Sequence, residues 1–211
     1  HLMKGSRNGV KLGHTELTDG LIKDGLWDVY NDFHMGNAAE ICAREGNYSR
    51  EAQDAFAAES YRRALAAQEA GKFDAEIVPV DVPQRRGEPV AVTQDEEPAR
   101  GRPDKMAKLR PAFDREGTIT AANASSLNDG AAVVVLTSVD YAKTHGLKIL
   151  GRITSSTQHA QAPEWFTTAP AAAINALLEK NELTPEGIDC YEVNEAFSVV
   201  SLAVNAGSNL P

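Results

Sequence analysis

Residues 191–203 read YEVNEAFSVVSLA, and the fold turns on how the Asn-Glu pair in this stretch is understood. One reading makes Asn194 a helix N-cap and Glu195 an acid placed at the positive end of the helix dipole. The other takes Asp189–Val193 as a strand that delivers Asn194 at its carboxyl end, where α/β folds build their sites. These residues alone favour the cap. The rest of the chain has to move that balance.

Working back toward the start, Pro170 opens a helix that runs through Lys180, because proline suits a first helical turn. Lys148–Ser155 reads as a strand, and Ser138–His145, closed by Gly146, as a short capped helix. Ala131–Thr137 (AAVVVLT) is apolar without alternation, the pattern of a strand covered on both faces. This run and Thr118–Asn123 bracket a small-residue segment, NASSLNDG. Pro83–Pro111, with five prolines and the acidic Asp95-Glu96-Glu97, reads as a solvated surface loop. Glu76–Val80 is expected to be a strand. The clearest helix spans Arg50 to Ala70, with Ser49 as N-cap, Glu51 in the first turn and Gly71 at the close. Its larger apolar residues Phe56, Tyr61 and Leu65 recur at helical spacing. A further helix covers Gly36–Arg44 and stops near Gly46, while Val10–Asp28 reads as a hairpin or an extended excursion. Strand and helix alternate, so the fold class is α/β with a sheet at least partly parallel.

Composition bounds the function. A chain of 211 residues can bury a real core as one or two domains, and 42% apolar with 24% charged residues is ordinary for a globular protein. A net charge of −9 argues against nucleic acid or an anionic membrane as the main partner, while leaving room for a local basic pocket. Cys42 and Cys190 are far apart, with no metal-ligand spacing, so a reducing compartment fits best. No run approaches the length of a membrane span, and His1-Leu2-Met3-Lys4 is not a signal peptide. The expectation is a cytoplasmic or mitochondrial protein that is not secreted.

Three small constellations carry candidate chemistry. His34-Met35-Gly36 stands before a helix, although a His beside a Met is more often a packing residue. Asn123-Ala124-Ser125-Ser126 admits a close ligand approach, or simply makes a tight turn. Arg100, Arg102, Lys105, Lys108 and Arg110 form a basic cluster that either meets phosphates or balances the acids of its own loop. P-loop, GxGxxG and GxSxG motifs are absent.

Four longer stretches carry a resemblance: GLWDVYNDFHMG (25–36), AAQEAGKFDAEIVPV (66–80), TAANASSLNDGAAVV (120–134) and YEVNEAF (191–197). In that order and at those separations, from about Gly9 to Ala203, they resemble the thiolases, in particular the acetyl-CoA acetyltransferase branch. The resemblance implies an incomplete form of the layered αβαβα thiolase fold. Residues 1–127 would be the α/β loop domain that binds coenzyme A and carries oligomer contacts. Residues 128–147 would close the N-terminal half, and 148–211 would begin the C-terminal half.

The same resemblance assigns roles. Asn194 would hold a catalytic water that helps form an oxyanion hole. His34 and Met35 would line the pantetheine and acyl end of the pocket, with His34 counted as catalytic. Ser125 would meet coenzyme A, and Arg100 and Lys105 its nucleotide and phosphate end. Phe113 would lie near the adenine-pantetheine channel, and Phe197 and Tyr61 would be cofactor-binding. Tyr61, with the backbone of Ala121, Ala122 and Ala124, would bind K+ in those members that use it.

The departures are equally definite. The CASG, GHP and CxGGG motifs of the family are absent from these residues. Cys42 and Cys190 match no catalytic position and read as core thiols. The expected activity is therefore acetyl transfer between two acetyl-CoA molecules, or thiolysis of acetoacetyl-CoA, through a Cys acyl-enzyme whose Cys is not in this chain. The fragment alone should be inactive. The alternative is a non-catalytic truncated product that binds coenzyme A or mediates subunit interaction. Partners implied are acetyl-CoA or acetoacetyl-CoA and a homo-oligomer (dimer or tetramer), with neither nucleic acid nor membrane.

Overall fold

The computed structural model describes residues 1–3 and 5–210. Lys4 and Pro211, which fall within the expected 1–127 and 148–211 segments, lie outside the described residues. Six α-helices are found among them: α1 (Met35–Glu45), α2 (Arg50–Glu69), α3 (Glu97–Arg100), α4 (Val139–Thr144), α5 (Ala169–Lys180) and α6 (Ser198–Ser208). Among them no helix is long and apolar enough to cross a membrane.

The helices form where local chemistry asks for them. Ser49 caps α2 by accepting from the Ala52 N–H at 3.1 Å, and Ser138 caps α4 in the same way from Tyr141 at 3.2 Å. His34 caps α1 through Nδ1, which accepts from the Gly36 N–H at 3.0 Å. The expected helices over 36–44, 50–70, 138–145 and 170–180 are all present within a residue or two.

Strands behave differently. The described strands are six short segments in three antiparallel pairs: β1 (Leu2–Met3) with β2 (Leu17–Thr18), β3 (Trp27–Asp28) with β4 (Phe33–His34), and β5 (Val80–Val82) with β6 (Val90–Val92). The expected partly parallel sheet is not formed within the described chain. Ala131–Thr137, Lys148–Ser155 and Asp189–Val193 hold no strand. Val133 is 92% exposed, Val135 87% and Leu150 88%. The reason is that a central strand needs hydrogen-bonding neighbours on both sides, and none flanks these runs among the described residues.

Two smaller corrections follow. Glu76–Val80 is not a strand: Glu76 ends a turn, its N–H and that of Ile77 donating back to the Phe73 carbonyl, 77–79 carry no regular structure, and pairing starts only at Val80. The 83–111 region is not a featureless loop, since it carries β6, α3 and a helical turn at Pro103–Lys108. It is ordered by α2. Gln68 donates to the Asp95 carbonyl at 2.9 Å, and Arg50 donates to those of Met106 and Leu109 at 2.6 and 3.3 Å.

The core gathers around α6, whose Val199, Val200, Ala203 and Val204 pack on Ala39, Cys42 and Ala43 of α1 and on Ile119. Each large apolar side chain buried this way contributes about 1.5–3 kcal/mol. A buried carboxylate ties the core to the chain crossing it. Glu40 of α1 accepts from the N–H groups of Thr118 (2.9 and 3.0 Å) and Ile119 (2.8 Å) and from Thr118 Oγ1 (3.2 Å).

Gly36 lies directly under the Phe113 ring, inside the space an added methyl would need. Alanine there gains roughly 1 kcal/mol of helix propensity but overpacks a stacked ring at a cost of about 1–3 kcal/mol. Gly36→Ala should therefore lower the urea midpoint, and an unchanged or raised midpoint would contradict the packing described. The exposed runs make a second prediction. Amides of Val133–Leu136 should exchange with solvent at nearly unprotected rates while those of Val200–Val204 stay protected, as read by hydrogen exchange.

Candidate functional site

Asn123 sits at the centre of the site. It is buried, and its side chain makes three hydrogen bonds: Oδ1 accepts from the Thr120 N–H at 2.8 Å, and Nδ2 donates to the Thr118 carbonyl at 3.0 Å and to Asp54 Oδ1 at 2.9 Å. These bonds fold 118–123 into a tight turn. Its backbone then joins a distant segment. The Ser198 N–H donates to the Asn123 carbonyl at 2.9 Å and the Ser125 N–H to the Ala196 carbonyl at 3.0 Å, so Ala124 and Phe197 form an antiparallel bridge. Stretches more than 70 residues apart in sequence thereby lie side by side.

A cavity of about 670 Å3 opens between this wall and α2, lined by Ser60, Tyr61, Ala122, Ala124, Ser125 and Glu195 among others. Asp95, Glu97 and Asp129 also line it. Ser60 Oγ donates to Glu195 Oε2 at 2.9 Å, which ties α2 to the segment preceding α6. Burial pushes the Glu195 carboxyl above the usual range, and the Ser60 bond opposes that shift. Burial raises the Tyr61 phenol, and the nearby Glu97 and Glu195 charges raise it further. The carbonyls of Ala121, Ala122 and Ala124 accept no hydrogen bond among the described residues. This is an oxygen-rich, negatively biased surface.

Beside it lies an aromatic stack. His34 lies against Phe113 with ring centroids 4.8 Å apart, and Phe113 meets Phe197 edge-on at 6.3 Å. Because His34 Nδ1 accepts from the Gly36 N–H, the neutral ring carries its proton on Nε2. Burial also lowers its pKa, which favours that neutral form. His34 is thus set up to donate a hydrogen bond from its outer nitrogen. Met35, the first residue of α1, is half-buried next to it.

The residues singled out from sequence separate into groups. Tyr61, Ala122, Ala124 and Ser125 share the cavity, while Ala121 is exposed and does not line it. His34, Phe113 and Phe197 share the stack. Arg100 is exposed and paired with Glu96 at 2.8 Å and Glu97 at 3.7 Å, and Lys105 is exposed on the Pro103–Lys108 turn. Asn194 neither ends a strand nor caps α6, whose N-cap position is Phe197. Asn194 lines a second, apolar cavity of about 530 Å3 with Cys190, Tyr191 and Val193, whereas Glu195 faces the first. Cys190 is exposed and outside any strand, so it is not a core thiol; Cys42 is one, and burial pushes its thiol pKa up.

Sequence reasoning missed Ser60, Asp54 and the cavity role of Glu195. A signal existed for the helix. Asp54, Ala57, Tyr61 and Ala64 recur at i, i+3, i+7 and i+10, which is one helical face. Among the described residues no group of three His, Cys, Asp or Glu side chains is placed to hold a metal ion.

Comparison with known proteins supplies the context. A family model described as thiolase, N-terminal domain, matches residues 1–140, and one described as thiolase, C-terminal domain, matches 147–210. An acetyl-CoA acetyltransferase of Cupriavidus necator is 50% identical over 206 residues, covering 97% of this chain and 52% of that protein. One from Schizosaccharomyces pombe is 50% identical over 199 residues, covering 94% and 50%. The crystal structure of the Bacillus anthracis acetyl-CoA acetyltransferase superposes with a TM-score of 0.88 at 40% identity, over 97% of this chain and 52% of that one. The chain spans about half the length of the curated relatives it matches, and it has the corresponding, incomplete part of a thiolase fold.

The Ser60–Glu195 bond yields a titration prediction. With its folded-state pKa above the unfolded one, Glu195 favours the folded state when protonated. Stability from this group therefore grows as pH falls through the folded value, and the gain is complete below the unfolded value. In a carboxyl-carbon NMR titration Glu195 should titrate above the ordinary glutamate range. Ser60→Ala should move it higher still, because the bond that stabilises the carboxylate is gone. An unmoved or lowered midpoint in Ser60→Ala would contradict the geometry.

Proposed function

Since the chain belongs to the thiolase family, we propose that it supplies the coenzyme A-binding and oxyanion-stabilising part of an acetyl-CoA C-acetyltransferase, condensing two acetyl-CoA to acetoacetyl-CoA and coenzyme A or running the reverse thiolysis. One observation carries this reading: the Ala124–Phe197 bridge sets the NASS and NEAF stretches side by side at a cavity walled by α2. In this reading the pantetheine arm passes Ser125, and the Phe113–Phe197 edge contact flanks its channel. Residues 1–127 act as the loop domain over the site, 128–147 end the N-terminal half and 148–211 begin the C-terminal half.

The reaction then divides into two transfers. An acyl group passes from the thioester sulfur to a cysteine thiolate, releasing coenzyme A. A second acetyl-CoA gives an α-proton to a base that, like that cysteine, lies outside these residues, and its enolate attacks the acyl carbonyl and expels the thiolate. His34, donating from Nε2, and Asn194, through a water, stabilise the oxyanions that arise. The nucleophile belongs to neither thiol of this chain, for Cys42 is buried with a raised pKa and Cys190 lines the other cavity. That same observation favours a second reading of the chain by itself, as a non-catalytic coenzyme A-binding or subunit-interaction module.

A cation fits the first cavity. The Tyr61 hydroxyl and the unspent carbonyls of Ala122 and Ala124, near several carboxylates, make an oxygen-only donor set suited to K+. When bound, K+ would supply positive charge beside the cofactor's pantetheine and nucleotide portions. Arg100 and Lys105 are assigned to the phosphates, and the whole protein to a homodimer or homotetramer of the cytoplasm or mitochondrion.

Calorimetric titration of the chain with coenzyme A tests the reading. Binding is expected. Lys105→Ala should weaken it most at low ionic strength, since an exposed ion pair is screened by salt. Ser125→Trp should weaken it at any ionic strength, because it obstructs the channel. Absence of coenzyme A binding, or equal binding by both variants and the parent, overturns the assignment. The chain should also show no thiolysis of acetoacetyl-CoA above a blank.

A further inference from the structure

The two walls of the cavity come from separate parts of the chain. Ser60 and Tyr61 stand on α2, while Ala122, Ala124 and Ser125 stand on the turn after Thr118. Something has to set one wall against the other. Asp54 on α2 does so directly, because its Oδ1 accepts from Asn123 Nδ2 at 2.9 Å. Its other oxygen accepts from Arg50 Nε at 2.8 Å. Arg50 in turn donates through Nη2 to the Met106 carbonyl at 2.6 Å and through Nη1 to the Leu109 carbonyl at 3.3 Å.

This pair differs from the other ion pairs of the helix. The Arg50 and Asp54 side chains are only 18% and 13% exposed. Glu59 with Arg62 and Arg63 forms exposed pairs that bond nothing beyond α2. Exposed pairs at that spacing are worth little, whereas charge-assisted hydrogen bonds in a partly buried setting are stronger and directional. A second tie, Gln53 Nε2 to Thr118 Oγ1 at 2.9 Å, holds the beginning of the turn. The later residues, 120–125, are tied to α2 through the Asn123 side chain and to the 196–198 segment through the Ala124–Phe197 bridge.

We propose that Arg50 and Asp54 are positioning residues that hold the Thr120–Ser125 wall in register with Tyr61 and Ser60, and so set the affinity of the cavity for coenzyme A. The pair touches no ligand itself. It acts through Asn123, whose amide is both the centre of the turn and the donor to the Asp54 carboxylate. The proposal rests on the reading of this cavity as a coenzyme A site, and its test separates the two.

Three variants of the full chain decide it. Asp54→Ala removes the acceptor for Asn123, Asp54→Asn keeps an oxygen in its place, and Glu59→Gln disrupts only an exposed pair. Hydrogen exchange of each is compared with calorimetric titration by coenzyme A. Asp54→Ala should speed exchange of the Thr120, Ala124 and Ser125 amides ~10-fold while Val200–Val204 keep their protection, and should weaken coenzyme A ~10-fold. Asp54→Asn should recover most of both losses, and Glu59→Gln should match the parent. Faster exchange spread evenly along the chain in Asp54→Ala, unchanged exchange at 120–125, or parental coenzyme A affinity in that variant overturns the proposal. If the parent itself fails to bind coenzyme A, the functional reading falls, and the exchange pattern alone decides whether the pair positions the wall.

Discussion

A buried side-chain amide has four hydrogen-bonding directions and no access to water, so the chain around it must be arranged to answer them. Asn123 imposes that constraint here. Its oxygen fixes the Thr120 N–H, its two amide hydrogens reach Thr118 and Asp54, and its own backbone carbonyl accepts the Ser198 N–H. An unmet polar group at such a position costs about 1–3 kcal/mol, so the turn, the α2 face and the start of α6 are set together. The cavity, the bridge at Ala124 and Phe197 and the orientation of Glu195 are consequences of that arrangement.

Charge is distributed unevenly around the site. The cavity wall carries Asp95, Glu97, Asp129 and Glu195, whereas Arg100 is occupied by Glu96 and Glu97 at the surface. The chain therefore offers carboxylates to the inner cavity and carries Arg100 and Lys105 on the exposed loop. In the proposed reading this division would suit a cation inside and phosphates outside. Tyr61 and Glu195 are both displaced upward in pKa, Glu195 by burial and Tyr61 by burial with the neighbouring Glu97 and Glu195 charges added.

The aromatic stack is the complementary, apolar half. Phe113 touches His34 on one side and Phe197 on the other, and Gly36 leaves room for its ring. The imidazole therefore gains its orientation from packing and its tautomer from the Gly36 N–H. Asn194 and Glu195, adjacent in sequence, face different cavities. The motif thus serves two surfaces at once.

Helices and their caps were legible in the sequence because their causes are local. Ser49, Ser138, Pro170 and Gly146 act within a turn or two of their own position, and the helices beginning or ending there are found where expected. The family was legible as well, since the stretches that carry HMG, NASS and NEAF identify it without any folding. Strands were not legible in the same way. Ala131–Thr137 has the composition of a buried central strand, yet a strand exists only through hydrogen bonds to neighbours, and the described residues provide none. Site membership was half legible. Tyr61, Ser125 and His34 could be named from motifs, but which of them share a cavity, which way Asn194 and Glu195 point, and that Arg50 and Asp54 join the two walls depend on contacts between residues tens of positions apart. Such contacts are made by packing and by long-range hydrogen bonds, so only the tertiary structure decides them.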